Sequence, residues 1–278
     1  MLNIKEITLK VGADDPFEVL HISDTHLTLA DGREQDNGRK LELAKSRRPH
    51  FSDAEEKLAQ AQAYAGQHKL PILHTGDLLD FVSAANLDAA ARFTAESDVF
   101  MAAGNHEFSL YVGEAKEDAA YRSISLADVQ AAFTNDIRFA SRVMYGVNFV
   151  AIDNGYYRIE EEQLAALKRE AEKGLPIVLM MHTPLYTPVL YEKRLSEAPG
   201  PAYLMNVPVE KMAHYTPQRY EQQLADDITR KAYDYILTQP LICAVLAGHL
   251  HTDADDVLPN GVPQLVTGCE TMRRIRFE

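Results

Sequence analysis

The sequence has few of the residues that cross-link a chain and no segment that could span a membrane. Among 278 residues there is no tryptophan, and Cys243 and Cys269 are the only cysteines. Two cysteines are too few for a disulfide framework at this length, so we expect two buried free thiols. No run approaches the roughly 18 consecutive apolar residues of a membrane span, and the N-terminal segment lacks the apolar core of a secretory signal. We therefore expect a soluble, cytoplasmic protein.

Positive charge is also scarce. Lys+Arg number 28 against 41 Asp+Glu, which gives a formal net charge of -13. Such a field repels polyanions over about 8 Å at physiological salt, so nucleic acid is disfavoured as a partner. One segment departs from this trend: residues 39–48, RKLELAKSRR, carry five basic residues and one acidic one. They form either a solvated, helical face or a group of cations that faces an anion.

The remaining composition is that of an ordinary globular protein. Hydrophobic residues make up 46% and charged residues 25% of the chain, and the length suits one domain over residues 1–278. Short apolar runs of strand length alternate with amphipathic segments, which predicts a layered α/β fold. These runs cover residues 17–23, 70–76, 97–104, 147–153, 175–182 and 241–249.

Helical spacing and turn residues place further elements. Helices are predicted over residues 51–67, with a capping box between Ser52 and Glu55, and over residues 160–174 and 217–237. Residues 137–153 and 255–277 read as antiparallel strands, so the sheets should be mixed. Residues 28–50 and 183–216 fit no core element. Each follows a strand end that carries histidine, and we interpret both as functional loop or cap insertions.

Polar side chains follow the apolar runs where each run ends. The terminating motifs are SDTH (Asp24, His26), GDLLD (Asp77, Asp80), GNHE (Asn105, His106), MMH (His182) and GHLH (His249, His251). Taken singly each is weak, because a histidine at a strand end is more often bonded to backbone or carboxylate than to a metal. Taken together they are informative, because the carboxyl ends of strands in an α/β sheet line its ligand crevice. We expect them to converge on one site.

The donor set indicates which ligand such a site would take. Imidazole, carboxylate and amide groups without thiolate suit Mn, Fe, Zn or Co rather than a structural zinc cage. One carboxylate can bridge two cations about 3.5 to 4 Å apart, and such a pair stabilises displacement at phosphorus. Two divalent or trivalent metal ions are the natural number for this many ligands.

In order and in type, this five-part series resembles the calcineurin-like metallophosphoesterase superfamily. The resemblance implies two mixed β-sheets packed face to face as a sandwich and flanked by helices, in four layers. It also implies a division of the ligands. Asp24, His26 and His251 would hold the first metal, Asn105, His182 and His249 would hold the second, and Asp77 would bridge the two.

Two further roles follow from the resemblance. His106 would lie beside the scissile phosphate as a general acid or an electrostatic stabiliser, and Asp80 would orient His106. Hydrolysis would proceed by attack of a metal-activated hydroxide on phosphorus.

The substrate is less constrained by the sequence. Phe81 stands where protein phosphatases of the superfamily usually carry an arginine, so a small phosphoester is favoured, with a phosphodiester such as a cyclic or other nucleotide preferred. We expect Arg39, Arg47 and Arg48 to bind a nonreacting anionic group of that substrate. A nuclease or phosphomonoesterase of the same superfamily and a noncatalytic metal-binding scaffold are the alternatives. The oligomeric state is left open.

Overall fold

The structure, a computed structural model, describes residues 2–113, 117–198 and 200–278. Strands and helices alternate through most of this length. The strands are β1 (Asn3–Leu9), β2 (Phe17–Ile22), β3 (Ile72–His74), β4 (Val99–Met101), β5 (Phe139–Met144), β6 (Val147–Ile152), β7 (Ile177–Met181), β8 (Ile242–Ala247), β9 (Ala254–Val257), β10 (Pro263–Val266) and β11 (Thr271–Phe277). The helices are α1 (Arg39–Arg47), α2 (Ala54–His68), α3 (Ala84–Glu96), α4 (Ala119–Ala131), α5 (Glu161–Ala171), α6 (Pro188–Glu197), α7 (Pro217–Gln223) and α8 (Asp227–Thr238).

The strands form two mixed sheets. The first has the order β1-β11-β2-β3-β4, in which β2, β3 and β4 run parallel and β11 runs antiparallel to β2. The second has the order β5-β6-β7-β8-β10-β9, in which β6, β7 and β8 run parallel. The antiparallel pairs of the second sheet are β5 with β6, as predicted for residues 137–153, and β9 with β10. Of the strands predicted over residues 255–277, β11 instead joins the first sheet, between β1 and β2.

The two sheets pack face to face, and helices cover their outer faces. Along β2 the side chains alternate, so that Val19 enters the apolar layer between the sheets and Leu20 enters the layer under the helices. In β3, Leu73 and Ile72 alternate in the same way. Helices α2, α3 and α4 cover the first sheet, and α5 and α8 cover the second. The predicted fold class, a sandwich of two mixed sheets flanked by helices, is confirmed.

Three predictions of local structure are wrong. The helix predicted over residues 217–237 is two helices, because Leu224 adopts an extended backbone and Asp226 caps α8 by accepting a hydrogen bond from the Thr229 amide. The Ser52 capping box does not form, since Asp53 is the N-cap of α2. Cys243 and Cys269 are free as expected but only half-buried.

The two segments predicted as insertions contain secondary structure of their own. The first holds α1 and a short 3-10 turn, Arg48–His50, and the second holds α6. In the second segment and α7, apolar side chains form a separate cluster over the ends of β8 and β10. We call residues 183–224 the cap. Within the described ranges no helix has the length and hydropathy needed to cross a bilayer.

Candidate metal centre

The predicted ligands follow the carboxyl ends of parallel strands in both sheets, and most of them have an unusual backbone. Asp24, His26, Asp77, His249 and His251 all have φ between 53° and 71°. This left-handed region costs a residue other than glycine of order 1–3 kcal/mol and is concentrated at functional sites. The strain therefore marks the same positions that the motifs single out.

Glycines in the motifs allow the strand ends to approach one another. A Cβ added at Gly76, whose φ is +98°, would lie 2.5 Å from the backbone nitrogen of Gly104 and 2.7 Å from Nδ1 of His182. A Cβ at Gly248 would overlap the side chains of Ser23 and Asp24. Only glycine fits at these two contacts, because any side chain would push the strand ends apart.

One group of side chains that could hold a metal ion consists of Asp24, His26, Asp77 and His251, whose ligand atoms lie within 4.8 Å of one another. Nε2 of His26 is 3.0 Å from Nε2 of His251 and 3.5 Å from Oδ2 of Asp77. Nε2 of His251 is 3.6 Å from Oδ1 of Asp24. These are the residues predicted for the first metal together with the predicted bridge. We call them the first cluster.

A second group consists of Asp77, His182 and His249, again with ligand atoms within 4.8 Å. Nε2 of His182 is 3.1 Å from Oδ2 of Asp77 and 3.0 Å from Nδ1 of His249. We call this the second cluster. Asp77 Oδ2 is common to both clusters, and His249 and His251 belong to different ones.

Two buried oxygens have no hydrogen-bond partner among the described residues: Asp77 Oδ2, which belongs to both clusters, and Oδ1 of Asn105, which lines the cavity beside them. An unpaired buried oxygen costs about 1–3 kcal/mol, so such atoms call for a partner. A cation supplies one, and the oxygen and nitrogen donors of the clusters suit Mn, Fe, Zn or Co. The residues present therefore fit a pair of metal ions.

The imidazole rings are oriented with electron pairs toward the clusters. Nδ1 of His26 donates to Oδ1 of Asp80 at 3.0 Å, and Nδ1 of His182 donates to the Thr75 carbonyl at 2.7 Å. Because these acceptors carry no proton, the neutral rings present a lone pair at Nε2. Those lone pairs face the Asp77 carboxylate, an arrangement that a cation stabilises.

The electrostatics at Asp77 also favour a positive charge there, whether a metal ion or a protonated His182 carries it. Burial opposes charge on this ring, yet Asp77, followed by Asp24 and Glu107, raises the pKa of His182 to about 10. Burial likewise opposes ionisation of Asp77, but His182 and His106 hold its pKa well below the usual range. The site thus stabilises positive charge next to Asp77.

His106 and Asp80 lie beside the first cluster. Nδ1 of His106 donates to the backbone carbonyl of Asp80 at 2.7 Å and is 3.4 Å from its carboxylate. The Asp80 carboxylate makes its closest contacts elsewhere, to His26 and to Arg47. Although burial opposes it, the carboxylates of Asp77 and Asp80 raise the pKa of His106. Asp80 therefore orients His106 mainly through its backbone.

Glu107 is a structural residue of the site that the sequence reading did not single out. Its buried carboxylate accepts hydrogen bonds from the amides of Asp77, Leu78, Leu79 and Gly104 at 2.6 to 3.2 Å. It ties the loops after β3 and β4 together. Burial, with a contribution from Asp77, raises the pKa of Glu107 to about 7. Its place in the GNHE motif was the only available signal.

The turn after β6 supplies two more residues that the motifs did not reveal. Asn154 Oδ1 accepts from the amides of His182 and Thr183 at 2.9 and 3.0 Å, which fixes the loop after β7. The Tyr157 hydroxyl is 2.8 Å from Nε2 of His249. The neighbouring Tyr156 hydroxyl is buried and has no hydrogen-bond partner in the part of the chain described.

The side chains of the three arginines predicted to bind substrate contact three different partners. Arg47 donates from Nε and Nη2 to the Asp80 carboxylate at 2.7 and 2.9 Å. The guanidinium of Arg39 lies 4.0 Å from the ring centre of Tyr111. Arg48 is on the surface, 3.6 Å from Glu55. None of the three is among the described residues that line the cavity beside the clusters.

That cavity has a volume of about 660 Å³ and opens onto both clusters. Its floor includes Asp77, Asn105, His106, His249 and His251. Tyr157 and cap residues form part of the walls. Polar and aromatic residues of the walls include Arg158, Arg194, Arg219, Tyr203 and Gln222. The sequence did not single out these arginines, since they are far apart in the chain and belong to no motif.

Comparisons with known proteins agree with the fold. A family model described as calcineurin-like phosphoesterase matches residues 17–253. The chain belongs to this family and is a metallophosphoesterase, a hydrolase of phosphoester bonds. A search of curated proteins found no match.

Solved structures with the same fold include a dimetal phosphatase from Danio rerio. It is 15% identical with a TM-score of 0.53, and the match covers 92% of this chain and 89% of that one. A phosphopantetheinyl hydrolase from Mycobacterium tuberculosis is 12% identical with a TM-score of 0.49, over 97% of this chain and 95% of that one. At such identities the likeness concerns the fold alone.

Proposed function

We propose that this chain hydrolyses a small phosphoester with the help of two metal ions. Asp24, His26 and His251 would hold the first ion, Asn105, His182 and His249 would hold the second, and Asp77 would bridge them. The observation that carries this proposal is Asp77 Oδ2, a buried oxygen without a hydrogen-bond partner that belongs to both clusters. The ions, which include Mn, Fe, Zn and Co as candidates, would supply a hydroxide nucleophile and Lewis-acid stabilisation of the phosphoryl oxygens.

The chain's own residues would position the substrate and move a proton. His106 lines the cavity beside the clusters, with Nδ1 fixed on the Asp80 carbonyl. Its Nε2 is then the atom that donates a hydrogen bond to a phosphoryl oxygen or a proton to the leaving oxygen. The raised pKa of His106 favours the protonated ring that this role requires.

The cavity supports a small organic phosphoester as substrate. Its volume of about 660 Å³ falls within the roughly 300–1,000 Å³ of small-molecule sites. Acidic wall residues such as Glu117, Asp118 and Glu221 alternate with arginines, so the described part of the wall offers no continuous basic surface to a polyanion. Together with the formal net charge of -13, this weakens the nuclease alternative. Phe81 is fully buried, so that position offers no phosphate-binding group. We keep a phosphodiester such as a cyclic or other nucleotide as the preferred substrate and a monoester as the second candidate.

Metal analysis and two generic substrates test this proposal. We expect about two bound ions per chain and Mn-dependent hydrolysis of an aryl phosphodiester, with an aryl phosphomonoester measured in parallel. His106→Ala should keep its metal and lose most of the activity, whereas Asp77→Asn should lose metal from both positions. A metal-loaded chain that is inert toward both esters and toward a panel of mononucleotides and cyclic nucleotides would favour the scaffold alternative.

A further inference from the structure

The inserted segment that contains α1 covers the first cluster. The ring of Phe51, which follows the 3-10 turn after α1, stacks on His26 with centroids 4.2 Å apart and planes 11° from parallel. The same ring meets His251 edge-on at 5.8 Å. One aromatic side chain directly after the insertion therefore contacts two of the four residues in the first cluster.

A second contact joins the insertion to His26 through a buried carboxylate. Arg47, the last residue of α1, makes a bidentate ion pair with Asp80, whose side chain has no exposed surface. The Asp80 Oδ1 atom that accepts from Arg47 also accepts from Nδ1 of His26 at 3.0 Å. The guanidinium of Arg47 also lies 5.3 Å from the ring centre of Phe51. Arg47, Phe51 and Asp80 thus surround one face and one edge of the His26 ring.

The contacts of Arg47 disagree with a substrate-binding role. Two of its donors are used by Asp80, and removing Arg47 would leave that carboxylate buried with less than half of its hydrogen bonds. Paired carboxylates that hold a metal-ligating histidine fix its tautomer and its ring orientation. From this geometry we expect loss of Arg47 to lower the affinity for the metal ion and to leave the affinity for the substrate unchanged.

We propose that Arg47 and Phe51 are positioning residues that hold His26 with Nε2 directed at Asp24, Asp77 and His251, and so strengthen binding of the first metal. This inference rests on the proposed function, because it concerns a metal at the first cluster. Arg47 is then part of the metal site, and its charge neutralises Asp80 without contacting the phosphoester.

Manganese titrations of the metal-free chain test the proposal. Chelator-treated parent, Arg47→Ala, Arg47→Lys and Phe51→Leu are titrated with MnCl2 by calorimetry, and Arg48→Ala is the matched control because Arg48 pairs with Glu55 at the surface. We expect Arg47→Ala to weaken one of the two positions about 10- to 100-fold, a range typical for loss of such supporting contacts. Arg47→Lys keeps the charge but loses the bidentate geometry, so it and Phe51→Leu should fall between Arg47→Ala and the parent. Arg48→Ala should bind manganese like the parent.

Two backgrounds identify the position affected. In His249→Ala the second position is impaired, so adding Arg47→Ala should weaken the remaining manganese binding by the full amount of about 10- to 100-fold. In His251→Ala the first position is impaired, so adding Arg47→Ala should change the remaining manganese affinity little. The melting temperature of each metal-free variant checks folding, and if Arg47→Ala does not fold, Arg47→Lys and Phe51→Leu decide the question.

Steady-state kinetics separate this role from substrate binding. Arg47→Ala should regain most of its kcat at saturating Mn, with KM for the aryl phosphoester unchanged. Unchanged metal affinity with a raised KM would overturn the proposal and support substrate binding by Arg47. Equal weakening of both positions would also overturn it. A parent chain that binds no metal would overturn the proposed function as well, so the two failures are distinguishable.

Discussion

Replacement of Tyr157 by phenylalanine tests the second metal position with the loss of one oxygen atom. The Tyr157 hydroxyl is 2.8 Å from Nε2 of His249, and Nδ1 of the same ring faces His182 in the second cluster. A metal held by Nδ1 requires the proton on Nε2, and Tyr157 is the acceptor for that proton. Without the hydroxyl, the metal-bound form contains a buried N–H with no partner, which costs about 1–3 kcal/mol. We therefore expect the second position to bind Mn roughly 5- to 150-fold more weakly.

The adjacent tyrosine provides the control. Tyr156→Phe removes the same atom from a buried hydroxyl that has no hydrogen-bond partner among the described residues. We expect it to bind both metals like the parent and to melt at the same or a higher temperature. Calorimetric titration of the two metal-free variants gives the comparison. Equal Mn affinities for Tyr157→Phe and Tyr156→Phe would show that the contact between Tyr157 and His249 contributes nothing to the metal site.

Three further predictions concern the packing, the cavity and the metal. Gly248→Ala should destabilise the fold by about 1–3 kcal/mol, because its Cβ would overlap Ser23 and Asp24, while Gly66→Ala in α2, where a Cβ has open space, should be neutral or stabilising in the same denaturant titration. Arg219→Ala should raise KM several-fold with little change in kcat, since Arg219 lines the cavity, whereas Arg230→Ala should leave both constants unchanged; identical KM values would refute a substrate contact. Removal of metal by a chelator should lower the melting temperature by roughly 5–10 °C relative to protein in Mn at about 100 times its Kd, because the ions bind only the folded site; no shift would contradict tight binding.

The grouping of the predicted ligands followed from a rule of sheet topology, which does not require the exact bounds of each strand. Asp24, Asp77 and Asn105 come after β2, β3 and β4, and the carboxyl ends of adjacent parallel strands lie at one edge of a sheet. It was therefore enough to recognise where each apolar run stops. The membership of His249 and His251 in different clusters came from the resemblance, because alternation along a strand does not decide which ring faces which ion.

What could not be predicted depends on contacts between distant parts of the chain. A run of basic residues in an acidic protein indicates an anion nearby, but nothing local shows that the anion facing Arg47 is Asp80, 33 residues along the chain. Likewise two features decide the break between α7 and α8. Asp226 is the N-cap of α8, and residues of the cap segment pack on the second sheet. The helical spacing of apolar residues continues across this break, which is why the sequence predicts a single helix there.

The left-handed backbone at five of the predicted ligands has a consequence for how such a centre persists through evolution. Glycine adopts φ values of 53° to 71° without strain, so at each of these positions drift toward glycine would stabilise a chain that no longer used the site. This chain instead carries a carboxylate or an imidazole at all five. Folding stability alone would favour glycine at these five positions, so the carboxylates and imidazoles of the site are held at a cost in the free energy of folding.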